Sequence, residues 1–537
     1  MTAHNDAAVP PPALGDLLAG PARRWPDRVA IDDGSVRHTF AELEQGALRI
    51  AAWLEGQGVG PGDRVVVLTE TRPVMPMIIL GIWKRGAVHV PVDAAEPGPR
   101  LDGLLDRLRP AAVISPAGRE PVLPGIPMLD GEALVPVLFG PAAPHTTVPH
   151  GPEDIAYIVF ASGATGEPQG AEITATGLTA HFTAHNEVLG LTPDSRVLSL
   201  SPFHFDVSLL DTLLPLSVGA FVHQFRGLTA GAVLRSTLAR QRITHLVAVT
   251  MLLGLVTDDG RHLDRGRLPD LAVVMTGAQV CPAHLLRAWT RGLPGLRLVQ
   301  AFGPPEATIF GLTHTVRAQD VEDTGADGSA APCPVGRPLR GTRAKLVRDG
   351  AEVHGPGAEG ELWIGGPQVM RGYFDQPEET ARLVVEADGT RWFRTGDVCA
   401  YDADGVLVLR RHADDRITWL AGRRTHLHEI ERAALSCPGV ERATAAVVRR
   451  SGRDVVALVV AVKERRRLHD VTEHLRGLLP AALRPAVLVR TAPGREPDPE
   501  RLIQGLTTAE LSPSSPYHDM SADGVVEPFD DADKEEI

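Results

Sequence analysis

The chain has 537 residues, of which 43% are hydrophobic, and a formal net charge of −13 at pH 7. This length predicts more than one folded unit with a substantial core. The acidic balance and the scattered basic residues argue against a nucleic-acid partner, and no apolar run approaches the ~20 residues of a membrane-spanning helix. The N-terminus shows no basic-then-apolar signal pattern, so we expect a cytoplasmic protein without membrane association.

Helical and strand patterns alternate along the first part of the chain. Residues 40–55 carry apolar side chains at a helical period, and residues 64–68 follow as an apolar strand. A helix at 75–84 and a strand at 87–92 repeat the alternation. Later runs that are apolar on both faces are typical of parallel strands covered by helices; they lie at 196–200, 246–249, 271–275 and 296–301. The pattern predicts an α/β fold with parallel or mixed sheets.

A domain boundary is predicted near Asp414 and Asp415. A hairpin turn at 402–405 precedes it, and a short helix–strand–strand–helix pattern follows it. Beyond Ser512 the composition is rich in Pro, Ser, Asp and Glu, which is typical of disordered segments. The resulting expectation is a flexible N-terminus over 1–14, a large α/β lobe over 15–413, a small mobile α+β lobe over 414–508 and an acidic disordered tail over 509–537.

The most distinctive segment is residues 155–170, which read IAYIVFASGATGEPQG. An apolar strand leads directly into a loop that contains glycines and hydroxyl residues. Backbone N–H groups beside such glycines can turn toward one point and bind phosphate oxygens. No Gly-Lys-Ser/Thr follows, so the loop is not a Walker A motif. Alone, a glycine-rich loop after a strand is more often an ordinary turn.

Further motifs accompany this loop in order along the chain. They are KRGAVHVPVD at 84–93, FDVS at 205–208, QAFGPPEA at 300–307, GELWIGG at 360–366 with MRGY at 370–373, and FRTGD at 393–397. Together with the loop, these motifs resemble the adenylate-forming superfamily, and specifically the amino-acid adenylation domains of nonribosomal peptide synthetases. The resemblance covers residues 15–505.

The resemblance implies a two-step reaction. A carboxylate attacks the α-phosphate of ATP and releases pyrophosphate, and the acyl adenylate then passes to the phosphopantetheine thiol of a carrier protein. By resemblance, Glu306 binds Mg²⁺ and is catalytic, while Asp397 accepts hydrogen bonds from the ribose hydroxyls. The ATP contacts implied by the motifs fall on Ser162, Gly163, Thr165, Gly166, Gly303, Asp397 and His412. The alternatives are structural: Glu306 could begin a helix, and Asp397 could cap a turn.

The substrate contacts follow from the same resemblance. The family's contact to the substrate amine falls on Asp206, and a carboxylate is the partner that an α-ammonium needs. The positions matched to the side-chain pocket are Val207, Leu210, Val247, Met275, Gly277, Ala301, Ile309 and Phe310. All are apolar or small, so we expect a hydrophobic α-amino acid of modest size as substrate. The alternative is that these residues are ordinary core.

The chain departs from the family mainly at the nucleotide site. The positions that differ are Ala161, Ala164, Gln169, Pro305, Leu409, His412 and Thr418, where hydroxyl, basic or aromatic residues are usual. The C-terminal catalytic lysine is replaced by Arg495, whose planar guanidinium differs in shape from an ammonium. Three interpretations therefore stay open: a free-standing enzyme that loads a separate phosphopantetheinylated carrier protein, a catalytically impaired relative that binds a partner or ligand, and a carboxylic acid–CoA ligase, which Asp206 disfavours.

Overall fold

A computed structural model describes most of the chain. The described residues are 13–116, 125–141, 145–162, 168–227, 229–257, 262–277, 281–322, 334–412, 417–420, 423–450, 453–462, 467–491, 517–520 and 526–528. Contacts divide the protein into two compact units. The first comprises Met1–Ala94, Arg109–Val159 and Gly170–Ala413, and the second comprises Ala95–Leu108, Phe160–Gln169 and Asp414–Ile537.

The α-helices of the described residues are α1 Ala19–Arg24, α2 Phe40–Gly56, α3 Met75–Lys84, α4 Gly98–Leu108, α5 Gly131–Phe139, α6 Ala175–Leu189, α7 Leu214–Ser217, α8 Gly231–Arg240, α9 Thr250–Thr257, α10 Ala283–Gly292, α11 Gln319–Glu322, α12 Pro377–Leu383, α13 Leu427–Leu435 and α14 Arg467–Leu478. Among the described helices, none combines the length and hydrophobicity needed to span a membrane.

The strands up to residue 302 are β1 Val29–Asp32, β2 Arg37–Thr39, β3 Arg64–Thr69, β4 Val88–Asp93, β5 Ala112–Ser115, β6 Met128–Asp130, β7 Ile155–Ser162, β8 Pro168–Thr174, β9 Arg196–Ser199, β10 Phe221–Gln224, β11 His245–Val249, β12 Val273–Gly277 and β13 Arg297–Phe302.

The strands after residue 302 are β14 Leu312–Thr315, β15 Arg337–Pro338, β16 Arg343–Arg348, β17 Ala351–Val353, β18 Glu359–Gly365, β19 Gly372–Tyr373, β20 Val384–Ala387, β21 Thr390–Tyr401, β22 Leu407–His412, β23 Ile417–Leu420, β24 Arg423–His426, β25 Arg442–Arg450, β26 Arg453–Ala461, β27 Val487–Thr491, β28 Tyr517–Met520 and β29 Val526–Pro528.

The first unit is built on two mixed sheets and one antiparallel sheet. In the described chain, one mixed sheet has the order β15-β14-β13-β12-β11-β9-β10-β1-β2, and the other has the order β19-β8-β7-β4-β3-β5-β6. The strands from β13 through β1 of the first sheet are parallel, and antiparallel strands stand at both edges. The antiparallel sheet contains β16, β17, β18, β20, β21 and β22. The predicted α/β class is confirmed.

Local sequence signals account for the buried helices around these sheets. Helix α2 begins with a capping box, in which Thr39 Oγ1 accepts from the N–H of Glu42 and the Glu42 carboxylate accepts from the N–H of Thr39. Its apolar face, with Leu43, Ile50 and Leu54, is buried in the main hydrophobic cluster of the unit. Capping satisfies the free N–H groups at the helix start, and burial of the stripe supplies most of the stability.

The second unit has its own core. Helices α13 and α14 pack against the apolar face of β26, and the core includes Ile430, Ala434, Leu458, Val471 and Leu475. The strand order of its larger sheet is β25-β26-β27-β28-β29. This is the α+β composition expected for the C-terminal region.

The second unit also contains a segment that the sequence prediction assigned to the large lobe. Helix α4 belongs to it, and its Arg100 forms an ion pair with the buried Glu429 of α13. Arg100 also pairs with Glu96 of its own segment, at 3.2 Å between Nε and Oε2. Removing one partner of a buried ion pair leaves an uncompensated charge, so the pair with Glu429 links α4 to α13. The sequence separation between Arg100 and Glu429 hides this contact from any local pattern.

Two short strands lie within residues 509–537, the segment for which the sequence predicts a disordered tail. Strand β28 pairs in parallel with β27, through Leu488 opposite Tyr517, and β29 returns antiparallel to β28. The sheet edge at β27 offers unpaired backbone groups, and a β-prone segment with Tyr517 can satisfy them despite the acidic surroundings. The predicted hinge at Asp414 and Asp415 lies outside the described residues.

Candidate active site

Three neighbouring parallel strands carry part of the predicted substrate pocket. Val247 of β11 is the register partner of Met275 of β12, and Ala301 lies near the carboxyl end of the adjacent β13. Gly277 is the last residue of β12. The carboxyl ends of parallel strands are the usual place for ligands in such sheets.

The structure brings the apolar pocket residues together. Six of them are buried in one cluster and the seventh, Val207, packs against it; the buried members are Leu210, Val247, Met275, Ala301, Ile309 and Phe310. The cluster also contains many ordinary core residues. That these residues lie together is therefore expected both for a substrate pocket and for an ordinary core. Their role in substrate binding stays a prediction.

Gly277 is required by the close approach of Phe310. A Cβ atom at Gly277 would lie 2.5 Å from the ring of Phe310 and 3.0 Å from the carbonyl oxygen of Ala301. Gly303 has a comparable packing role, since a Cβ there would lie 2.6 Å from the backbone of Phe310 and Gly311. The nucleotide contact predicted for Gly303 stays a prediction.

The loop between β13 and β14 has a strained backbone. A 3₁₀ turn at Pro305–Ala307 is followed by Thr308 and Ile309, whose φ angles are 57° and 66°. β-branched residues rarely adopt this left-handed region. Thr308 Oγ1 donates to the carbonyl of Gln368 at 2.6 Å, which helps to hold the conformation. Strain of this kind clusters at ligand sites.

Glu306 lies in this turn with its side chain buried. The hydroxyl of Tyr373 donates to Glu306 Oε1 at 2.7 Å, and the N–H of Met370 donates to the Glu306 carbonyl at 2.8 Å. Glu306 Oε2 is buried without a hydrogen-bond partner. The alternative that Glu306 begins a helix, here a 3₁₀ turn, and a ligand role are both compatible with its place. An oriented carboxylate oxygen with no partner fits a Mg²⁺ ligand.

The donor set around Glu306 indicates how a magnesium ion would be held. Among the described residues, no group of three or more His, Cys, Asp and Glu side chains could hold a metal by itself. Mg²⁺ commonly uses one or two carboxylates together with phosphate oxygens of a nucleotide. One protein carboxylate is sufficient for that arrangement.

Asp206 presents a second carboxylate oxygen without a partner. Its Oδ2 is buried and makes no hydrogen bond. The pKa of Asp206 is raised to about 7, chiefly by burial; the N–H groups of Val207 and Ile309 act against the rise, and the charge of Glu306 adds to it. A buried carboxylate of this kind gains most from an added cationic partner.

Tyr157 and Asp211 are residues near this site that the sequence analysis did not assign. The Tyr157 hydroxyl is buried without a partner, and burial and then the charge of Asp206 raise the Tyr157 pKa well above its usual range. Asp211 accepts from the N–H groups of Leu200 and Ser201 at 3.1 and 3.0 Å. These bonds tie the segment after β9 to the helical turn that carries Leu210, a link that sequence spacing does not show.

Asp397 and His412 are brought together by strand pairing. They are register partners in β21 and β22, and His412 Nδ1 is hydrogen-bonded to Asp397 Oδ1. Asp397 lies within a strand, so the expected alternative of a turn cap is not what the structure shows. The predicted ribose contact of the pair stays a prediction.

Several predicted residues are not placed by the structure. Gly163, Thr165, Gly166 and Arg495 lie outside the described residues, and for Ser162 only its place at the end of β7 is described. Gln169, at the position where the family has lysine, is buried and its Nε2 atom has no hydrogen-bond partner.

Comparisons with known proteins agree with the motifs. The family described as AMP-binding enzyme matches residues 18–374. The probable non-canonical nonribosomal peptide synthetase CymA of Salinispora arenicola is 33% identical over 84% of the chain, which spans only 6% of CymA. Novobiocin biosynthesis protein H of Streptomyces niveus is 30% identical over 96% of the chain and 87% of its own length.

Solved structures give the same result. PA1221, a nonribosomal peptide synthetase protein containing adenylation and PCP domains, is 25% identical over 93% of this chain and 98% of its own, with a TM-score of 0.77. The AMPPNP-bound form of the synthetase FmoA3 is 29% identical over 76% of this chain and 44% of its own, with a TM-score of 0.67. With the fold, the ordered motifs and these relatives in agreement, the chain belongs to the AMP-binding enzyme family and has adenylation-domain relatives among nonribosomal peptide synthetases.

Proposed function

We propose that the protein activates a hydrophobic α-amino acid as its aminoacyl-AMP and transfers the aminoacyl group to the phosphopantetheine thiol of a separate carrier protein. The observation that carries this proposal is the unpartnered, buried Oδ2 of Asp206 in a segment that contributes Val207 and Leu210 to an apolar cluster. A carboxylate there can bind an α-ammonium while the cluster accepts the side chain.

In the first step, an oxygen of the substrate carboxylate forms a bond to the α-phosphorus of ATP, and the bond to the pyrophosphate oxygen breaks. Asp206 would fix the amino group so that the carboxylate is held for attack, which lowers the entropic part of the barrier. Apolar residues around the side chain would exclude water that could hydrolyse the adenylate.

Glu306 would hold Mg²⁺ through its unpartnered Oε2, with Tyr373 orienting the carboxylate through Oε1. A magnesium ion supplies positive charge that stabilises the phosphate oxygens as pyrophosphate leaves. Asp397, oriented by His412, would accept hydrogen bonds from the ribose of the nucleotide.

The remaining contacts are assigned from the family motifs. The loop residues Ser162, Gly163, Thr165 and Gly166 would bind phosphate oxygens, and Arg495 would place a permanent positive charge near the substrate carboxylate. The carrier-protein step is supported by the adenylation and PCP domains named for PA1221.

A second candidate function is a catalytically impaired relative that binds a partner or ligand. It is favoured by Gln169, because a neutral amide stands where the family has a cation for the nucleotide phosphates. Loss of one charge-assisted contact removes about 1.5–3 kcal/mol of binding.

Amino-acid-dependent exchange of pyrophosphate into ATP tests the two candidates. The adenylating enzyme is expected to exchange with one or a few hydrophobic amino acids and to lose the response in Asp206→Ala with its fold intact. No exchange in wild type with any amino acid, and none after Gln169→Lys and Arg495→Lys are combined, would favour the impaired relative. A preference for Asp, Glu, Lys or Arg would contradict the pocket assignment.

A further inference from the structure

Helix α6 carries a pair of fully buried histidines. His181 and His185 are 2% and 0% exposed, and their ring centroids lie 3.9 Å apart with an interplanar angle of 34°. They are spaced one helical turn apart, so both rings lie on the same face. No motif of the family resemblance includes them, and the proposed reaction leaves them unused.

The pair is short of hydrogen-bond partners. His185 Nδ1 lies 3.3 Å from the carbonyl oxygen of His181, whereas both ring nitrogens of His181 and Nε2 of His185 have none. A buried polar group without a partner costs about 1–3 kcal/mol, so three of them on one pair are unfavourable in a ligand-free core. Such groups in a native structure indicate a missing partner, either an ordered water or a ligand.

The position of the pair connects it to the predicted substrate pocket. The ring of His185 lies 6.2 Å from the ring of Phe310, tilted by 39°, and Phe310 in turn covers Gly277 at the end of β12. Phe310 is therefore shared between the predicted substrate pocket and the histidine pair. A substrate side chain that packs against Phe310 would therefore be a neighbour of the His185 imidazole.

The chemistry of the pair limits what it can bind. Both imidazoles are neutral, because burial lowers the pKa of His185 to about 3 and that of His181 well below its usual range. Since a carbonyl can only accept, Nδ1 of His185 carries the proton and Nε2 is an acceptor. The partner of Nε2 must therefore be a donor, and a charged partner would lose its hydration without gaining an opposite charge.

We propose that His181 and His185 form a polar end to the substrate pocket and select an amino acid whose mostly apolar side chain ends in a neutral O–H or N–H group. This inference rests on the proposed function, since it names the substrate class of the same site. The selectivity follows because the analogue lacking the donor leaves the buried nitrogens unpaired.

Calorimetric binding of matched amino-acid pairs tests the inference on the full chain. The pairs are tyrosine with phenylalanine, threonine with valine and serine with alanine, measured on wild type, His185→Phe and His181→Phe. We expect the hydroxylated member of at least one pair to bind wild type tenfold more tightly or better. In His185→Phe this preference is expected to fall to twofold or less.

His38→Phe is the matched control. His38 is also buried, stacks on a phenylalanine ring at 5.6 Å and has an unpartnered Nε2, but it belongs to the edge strand β2, which four strands separate from β12. Its substitution is expected to leave the preference unchanged. If His185→Phe does not fold, ¹⁵N chemical shifts of the wild-type imidazoles serve instead, and Nε2 of His185 is expected to move only with the hydroxylated ligand.

The outcomes separate this inference from the proposed activity. A tenfold preference that depends on His185, without pyrophosphate exchange, supports the inference and contradicts the activity. Pyrophosphate exchange that is equal for the two members of each pair and unchanged by His185→Phe overturns the inference and leaves the activity standing. The histidines would then hold ordered water only. Absence of binding by all six amino acids overturns the inference, and pyrophosphate exchange with the other hydrophobic amino acids then decides on the activity.

Discussion

The hydrogen bond between Tyr373 and Glu306 allows a quantitative test. Tyr373→Phe removes the hydroxyl that donates to Glu306 Oε1, while Oε2 already lacks a partner. Both carboxylate oxygens are then buried without a hydrogen bond. Because hydrogen bonds to charged groups contribute about 1.5–3 kcal/mol, we expect the free energy of unfolding of the first unit to fall by that amount.

Tyr157→Phe is the matched control for this substitution. Tyr157 is 1% exposed and Tyr373 is 5% exposed, but the hydroxyl of Tyr157 has no partner. Removing it relieves an unsatisfied polar group, so we expect unchanged or slightly higher stability. Urea unfolding of both variants without nucleotide or metal gives the comparison. Equal effects of the two substitutions would refute the assignment of a stabilising bond between Tyr373 and Glu306.

Three further variants are expected to have defined effects. Gly277→Ala places a Cβ 2.5 Å from the Phe310 ring, and thermal unfolding should show a loss of about 1–3 kcal/mol from overpacking. Lys84→Met removes the buried partner of Glu44, at 2.7 Å, and urea unfolding should show a loss of about 3–5 kcal/mol. Burial lowers the His185 pKa to about 3, so only the unfolded state gains this proton as pH falls below 6.5. The stability that neutral His185 gives the folded state is complete above pH 6.5 and is lost as the pH falls toward 3. Between these pH values, His185→Phe should reduce the slope of unfolding free energy against pH by up to about 1.4 kcal/mol per unit.

Each variant has an outcome that contradicts its reasoning. Gly254→Ala, at a helical glycine with nothing within 4 Å of an added Cβ, should not destabilise, and a loss equal to that of Gly277→Ala would exclude a specific clash. Wild-type stability in Lys84→Met would mean that Glu44 does not depend on this ion pair. An unchanged pH slope in His185→Phe would mean that the imidazole titrates normally in the folded state.

The sequence predicted those features that depend on neighbouring residues. The apolar run at 64–68 is observed as β3, and the helix at 40–55 is observed as α2 with its capping box at Thr39. Period and capping are local properties, so a single sequence is sufficient for them. The order of the motifs along the chain was likewise sufficient to identify the family.

Other features depend on contacts between distant positions and could not be predicted. Tyr373 was visible within a motif, but its bond to Glu306 joins residues 67 positions apart. The pairing of Tyr517 with β27 depends on an open sheet edge, which composition does not reveal. The contact of His185 with Phe310 arises from the packing of α6, and its spacing to His181 alone is equally typical of a core helix.

The left-handed conformations of Thr308 and Ile309 have a consequence for how substrate preference can change. Each such non-glycine residue raises the energy of the folded state by about 1–3 kcal/mol. A mutation of Ile309 to glycine would release this energy and, in the same step, open space for a larger substrate side chain beside Phe310. Broader substrate acceptance at this position is therefore accessible to evolution with a smaller loss of stability than at Leu210 or Met275, where deleting a buried side chain leaves a cavity without any relief.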